Sequence, residues 1–138
     1  MYKCHHFAIH ELVPPNVFKL RGESAWELLD DRMLMTLDRL RERYGSMTVN
    51  NYHWRREREW SGLRTSDSPF FSRTSQHTFG RAADCLFSNL SAEQVRRDIL
   101  DDSDHEDFEL INSLELGVTW LHFDVRNCQR IKTYYPGN

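Results

Sequence analysis

The chain reads as one α+β domain, a small central antiparallel sheet with helices packed on it. Three observations predict this. Residues 24–44 carry apolar side chains at helical spacing. Five short segments, 47–52, 81–87, 110–116, 119–125 and 131–135, alternate in polarity or concentrate β-formers. Gly117-Val118 and Pro136-Gly137 supply turn residues between or after them. A chain of 138 residues closes one core and is too short for two comfortable ones.

The elements follow in order. Phe7-Ala8-Ile9-His10-Glu11-Leu12-Val13 alternates weakly and stops at Pro14-Pro15, as an extended arm or short turn packed on the domain. In residues 24–44, Trp26, Leu29, Met33, Leu37, Leu40 and Tyr44 recur at steps of three and four and share a face. Ser24 with Glu27 has capping-box spacing, and Gly45 is a natural stop. That face is read as core, since so small a domain needs such a helix to cover its sheet. Residues 47–52 read as a strand. Residues 53–60 interleave Trp54 and Trp60 with mixed charge, as a solvated loop or short helix edge. A long irregular stretch then leads to His77, and long loops in compact domains are often functional.

In residues 81–87, Ala82, Asp84 and Leu86 fall on one strand face and Ala83, Cys85 and Phe87 on the other. Ser91 reads as the N-cap of a helix through Val95, Ile99 and Leu100. Asp101, Asp102, Asp104, Glu106 and Asp107 form an acidic turn without the ligand spacing of a calcium loop, so a solvated turn is expected. Residues 110–116 and 119–125 form a hairpin about Gly117-Val118, and 131–135 is a last strand.

Composition excludes several classes. Apolar content is 39%, charged content 28% and net charge −3, so no global basic field steers the chain to nucleic acid. No apolar run approaches the ~20 residues that span a bilayer. The start, Met1-Tyr2-Lys3-Cys4-His5-His6, lacks the apolar core of a secretory signal. A cytoplasmic chain, or one released by lysis, is expected. Cys4, Cys85 and Cys128 form no CxxC pair, which argues for free thiols. His5, His6 and His10 read as surface histidines.

The chemistry concentrates in Ser75-Gln76-His77-Thr78-Phe79-Gly80-Arg81-Ala82-Ala83-Asp84 and Trp120-Leu121-His122-Phe123-Asp124. A glycine and small residues between His77 and Asp84 let the backbone turn and bring both side chains to one point. With His122 they make two imidazoles and a carboxylate, a set that on zinc leaves a fourth position for water. Such an ion lowers the pKa of water to about 7 and polarises a carbonyl. Amide hydrolysis further needs a base and an oxyanion donor. Trp120, His122 and Asp124 share a strand face, Trp120 as a substrate contact. Asp124 is either the base or the acceptor that orients an imidazole. Arg64 and Arg81 are candidate oxyanion or substrate-carboxylate donors, and Ser75 bonds either to substrate or to a ligand residue.

Ser75-x-His77-x-x-Gly80-x-Ala82-x-Asp84, with Trp120-x-His122-x-Asp124, resembles the zinc D-alanyl-D-alanine carboxypeptidase and L-alanyl-D-glutamate endopeptidase family, whose fold is shared with the Hedgehog signalling domain. The arm from Phe7 to Leu12 resembles the start of the short phage endolysin-like subgroup. The resemblance implies zinc ligands His77, Asp84 and His122. Ser61-Gly62-Leu63-Arg64 resembles a Ser-Gly-Tyr-Arg segment whose arginine contacts substrate. Thr119 stands where many members carry an acidic base, which leaves Asp124 or Glu115 for that role. The implied function is a phage-encoded zinc peptidase acting on peptidoglycan stem peptides, in the infected host's cytoplasm or on a virion. The alternative is a virion structural or wall-binding protein, contacting other phage virion proteins, that keeps the fold with little catalysis; Thr119 favours it. Single-strand nucleic-acid binding through residues 53–60 is a third reading, disfavoured by the acidic charge.

Overall fold

A computed structural model describes residues 1–137. The fold is α+β. After a 3-10 turn over Ile9–Glu11 come α1 (Pro15–Arg21), a 3-10 helix (Gly22–Leu28), α2 (Asp31–Tyr44), β1 (Met47–Thr48) and α3 (Tyr52–Arg55). A long loop leads to β2 (Ala82–Phe87) and α4 (Ala92–Asp101). β3 (Ser113–Glu115), β4 (Leu121–Asp124) and β5 (Lys132–Tyr134) complete the chain. Among the described residues no helix is long and apolar enough to cross a membrane, and the three cysteines are free.

The helix expected over residues 24–44 is two pieces. Asp30, not Ser24, caps α2, its carboxylate accepting from the Arg32 amide at 2.8 Å. The Ser24 hydroxyl instead donates to the Arg21 carbonyl. The break has a tertiary cause: the Asp30 amide donates to the Gly80 carbonyl at 2.9 Å. Gly80 lies so close that a Cβ there would run into the Leu28 carbonyl, and its φ is +69°. The predicted apolar face is otherwise as expected, with Trp26, Leu29, Met33, Leu37 and Leu40 buried.

The strand expected over 47–52 ends at Thr48, because Asn50 and Asn51 turn inward. The buried Asn50 accepts from the Ser61 amide at 2.9 Å, and Asn51 accepts from the Arg58 amide at 2.8 Å. Both pin the following loop to the body. Ser91 caps α4 as expected, in a capping box with Gln94. The acidic turn is not wholly left to solvent: Asp104 pairs with Arg130 at 3.1 Å and Asp107 with Arg43 at 3.2 Å.

The sheet order is β1-β2-β4-β3-β5. It is mixed, not purely antiparallel, because β5 runs parallel to β3. β2 already occupies the other edge of β4, so the chain reverses after β4, steps over β3 and lies down beside it. Ala83, Cys85, Leu114, Leu121 and Phe123 face a core shared with Met33, Leu37, Val95 and Ile99, all fully buried. At roughly 1.5–3 kcal/mol per buried large apolar side chain, this face anchors the sheet. Arg96 of α4 is also buried and donates to the Val118 and Trp120 carbonyls at 3.2 and 2.6 Å, tying the β3–β4 connection to the helix.

Candidate metal centre

The opposite sheet face carries the site, and strand register builds it. β2 sets Asp84 opposite His122, and β3 sets Glu115 opposite Tyr134. The β3–β4 register pairs Ser113 with Asp124; two residues on, it brings Glu115 beside His122. The connection therefore spans residues 116–120 rather than a tight turn at Gly117-Val118. The shift is by two residues, so the faces are those expected. Asp84, His122, Glu115 and Tyr134 form one row across four strands.

His77 reaches this row from a wound turn. The Ser75 hydroxyl accepts from the His77 amide at 3.2 Å, and the His77 carbonyl accepts from the Arg64 and Gly80 amides. Ser75 thus bonds to the backbone of a candidate ligand while also lining the cleft. His77 Nδ1 lies 2.8 Å from the Gly62 carbonyl, which can only accept. The Nδ1 therefore carries the proton and Nε2 presents its lone pair. Gly62 is itself clamped on the N-terminal arm, where a Cβ would meet the Leu12 carbonyl.

His122 is held in the complementary way. Its Nε2 lies 2.9 Å from Asp124 and its Nδ1 2.8 Å from Asp84 Oδ1. His77 Nε2 lies 3.3 Å from that same oxygen. Ligand atoms of His77, Asp84 and His122 all fall within 4.8 Å of one another. Atoms bound to a tetrahedral zinc at its usual bond lengths sit about 3.3 Å apart; the separations of 3.3 and 2.8 Å from Asp84 Oδ1 are near that spacing, and the group could hold a metal ion. Each imidazole has its remote nitrogen engaged by an oxygen, the arrangement that orients ligand histidines.

The electrostatics agree with such a site. Burial alone would raise the Asp84 carboxyl, but His77 and His122 outweigh it and hold it well below the usual carboxylate range. Burial lowers His77, against the pull of Asp84. Burial would lower His122 as well, but bonds to Asp124 and Asp84 outweigh it and raise its pKa to about 9. A cation bound by His122 Nδ1 and Asp84 would displace a proton.

The three residues open onto a cleft of about 500 Å³. Arg64 lines it, donating to Asp84 Oδ2 at 3.1 Å and to the Trp60 carbonyl at 2.8 Å. Trp120 lines it too, its indole N–H without an acceptor among the described residues. Asp124 does not: it is fully buried and receives Arg126 through two bonds of 2.7 Å. Its geometry is that of the orienting acceptor. Glu115 does line the cleft, whereas Thr119 is exposed outside it.

Arg81 is a correction. It stacks on Phe79 at 4.8 Å in a separate hollow beside Asp30. It precedes Ala82 on the strand and points with Ala83, away from Asp84, so alternation takes it out of the site. The lining residues that sequence reasoning missed are Arg58, Phe70, Thr74, Gln76, Arg126 and Tyr134. Only Arg126 left a signal, two positions after Asp124 on the same face.

Comparisons of the chain with protein-family models, with curated proteins and with solved structures gave no match. What these elements define is an α+β domain whose buried His-Asp-His group can hold a metal ion at the wall of an open cleft.

Proposed function

We propose that the chain is a zinc-dependent peptidase of the Hedgehog and DD-peptidase type, phage-encoded, hydrolysing peptide bonds in peptidoglycan stem peptides. One observation carries this reading. Two imidazole nitrogens and a carboxylate oxygen converge on the cleft wall, with Glu115 in the same row of the sheet. The substrate class comes from the motif resemblance.

His77 Nε2, His122 Nδ1 and Asp84 hold the ion, which when bound supplies Lewis acidity, acidifying water and polarising a carbonyl. Glu115 takes the proton of the attacking water and delivers it to the leaving nitrogen as the C–N bond breaks. It replaces the acid absent at Thr119, from the neighbouring strand. Arg64 and Tyr134 face the same space as donors for the oxyanion. Burial and the Glu115 and Asp124 charges raise the Tyr134 hydroxyl, so it stays protonated.

Metal analysis of the purified protein, with mass spectrometry of digested cell wall, tests the reading. About one zinc per chain and release of stem-peptide fragments that stops with a chelator are expected. Full activity in chelator refutes the mechanism. Retained zinc without any fragment release favours the wall-binding alternative.

A further inference from the structure

We propose that Arg58 captures a carboxylate of the substrate, making the cleft selective for peptides that carry that carboxylate free. This rests on the peptidase reading for the kind of ligand and on the cleft's own geometry for the charge.

Three arginines line the cleft, and two already hold a carboxylate of the protein. Arg64 is bound to Asp84. Arg126 is forked onto Asp124. Arg58 is different: its one side-chain hydrogen bond among the described residues runs from Nε to the Val49 carbonyl at 3.2 Å, and it forms no ion pair there. That bond fixes the stem and leaves both terminal nitrogens, with four N–H donors, unengaged by protein.

The mount is rigid. The Arg58 amide donates to the Asn51 side chain at 2.8 Å, and the Arg58 carbonyl accepts from the Asn51 and Tyr52 amides at 3.0 and 3.1 Å. Asn51 itself is buried. A guanidinium held by its stem with a free fork matches a carboxylate through two parallel bonds. The charge balance points the same way. Arg64 is balanced by Asp84 and Arg126 by Asp124, which leaves Arg58 and the proposed ion against Glu115, so the cleft attracts an anionic ligand. That carboxylate belongs either to an acidic residue within the peptide or to its C-terminus.

The test uses N-acetyl-L-alanyl-γ-D-glutamyl-L-lysyl-D-alanine and three relatives, amidated at the glutamyl α-carboxylate, at the C-terminus, or at both. Binding to the chelator-treated full chain is measured by calorimetry for wild type, Arg58→Ala and Arg58→Lys, with thermal unfolding as a check of folding. In wild type, amidating one of the two carboxylates should weaken binding about 10- to 100-fold, and the position that matters identifies the source. In Arg58→Ala that discrimination should fall below about 2-fold, and Arg58→Lys should keep part of it. Equal binding of acid and amide by wild type overturns the proposal. So does equal weakening of all four peptides in Arg58→Ala. Zinc-dependent wall hydrolysis without acid preference overturns the role of Arg58 and leaves the peptidase reading. Arg58-dependent acid preference without hydrolysis does the reverse.

Discussion

Replacing Asp124 by asparagine keeps the shape of the site and removes one buried charge. Asp124 accepts from His122 Nε2 at 2.9 Å and takes two bonds of 2.7 Å from Arg126. With its oxygen in the place of Oδ2, asparagine still accepts from His122 and from one Arg126 nitrogen, but its amide nitrogen then faces the Arg126 Nε donor. His122 then keeps only a neutral acceptor in place of the charged partner that fixes its ring and makes Nδ1 a better metal donor. Losing such a partner typically weakens metal binding 10- to 100-fold, about 1.4–2.7 kcal/mol. The weakened Arg126 pair should cost a further 1–3 kcal/mol of folding stability, to order of magnitude. Competition with a chromophoric chelator at pH 7.5 reads the first effect and urea unfolding the second. Since the proposed base is Glu115, saturating zinc should restore most hydrolysis to Asp124→Asn. Glu115→Gln should instead keep its zinc and lose about 10²- to 10⁴-fold in kcat. Unchanged zinc affinity in Asp124→Asn would refute the orienting role; hydrolysis that stays lost at saturating zinc would make Asp124 the base.

His77→Ala and His122→Ala should each abolish zinc retention on gel filtration, together with any hydrolysis, because two protein ligands remain. In chelator-treated protein the folded pKa of His122, about 9, lies above its ordinary 6.5. Its stabilising contribution is therefore fully present below pH 6.5 and disappears as pH rises through 9, a loss on the order of 3 kcal/mol by urea titration. Zinc binding, which needs the neutral ring, should tighten over the same interval. Arg96→Met should lower stability by about 3 kcal/mol in urea unfolding, since the Val118 and Trp120 carbonyls lose a charged donor.

Much of the architecture was legible in the chain because it depends on local chemistry. The Ser91 cap, the buried stripe from Trp26 to Leu40 and the strand that ends at Phe87 are short-range effects of hydrogen bonding and periodicity, and the structure has each of them. His77, Asp84 and His122 stood out because imidazoles and a carboxylate beside a glycine turn have few other uses together. Tertiary contacts decided the rest. The helix breaks at Asp30 because Gly80 docks there. The sheet became mixed because β2 blocks one edge of β4. Glu115 entered the row of ligands through a register that depends on the span of the β3–β4 connection. Arg58 entered the cleft through Asn50 and Asn51; Arg81, by contrast, is out of it by simple strand alternation, which the sequence already carried. Periodicity names the face of each element, but only packing between distant segments determines which faces meet.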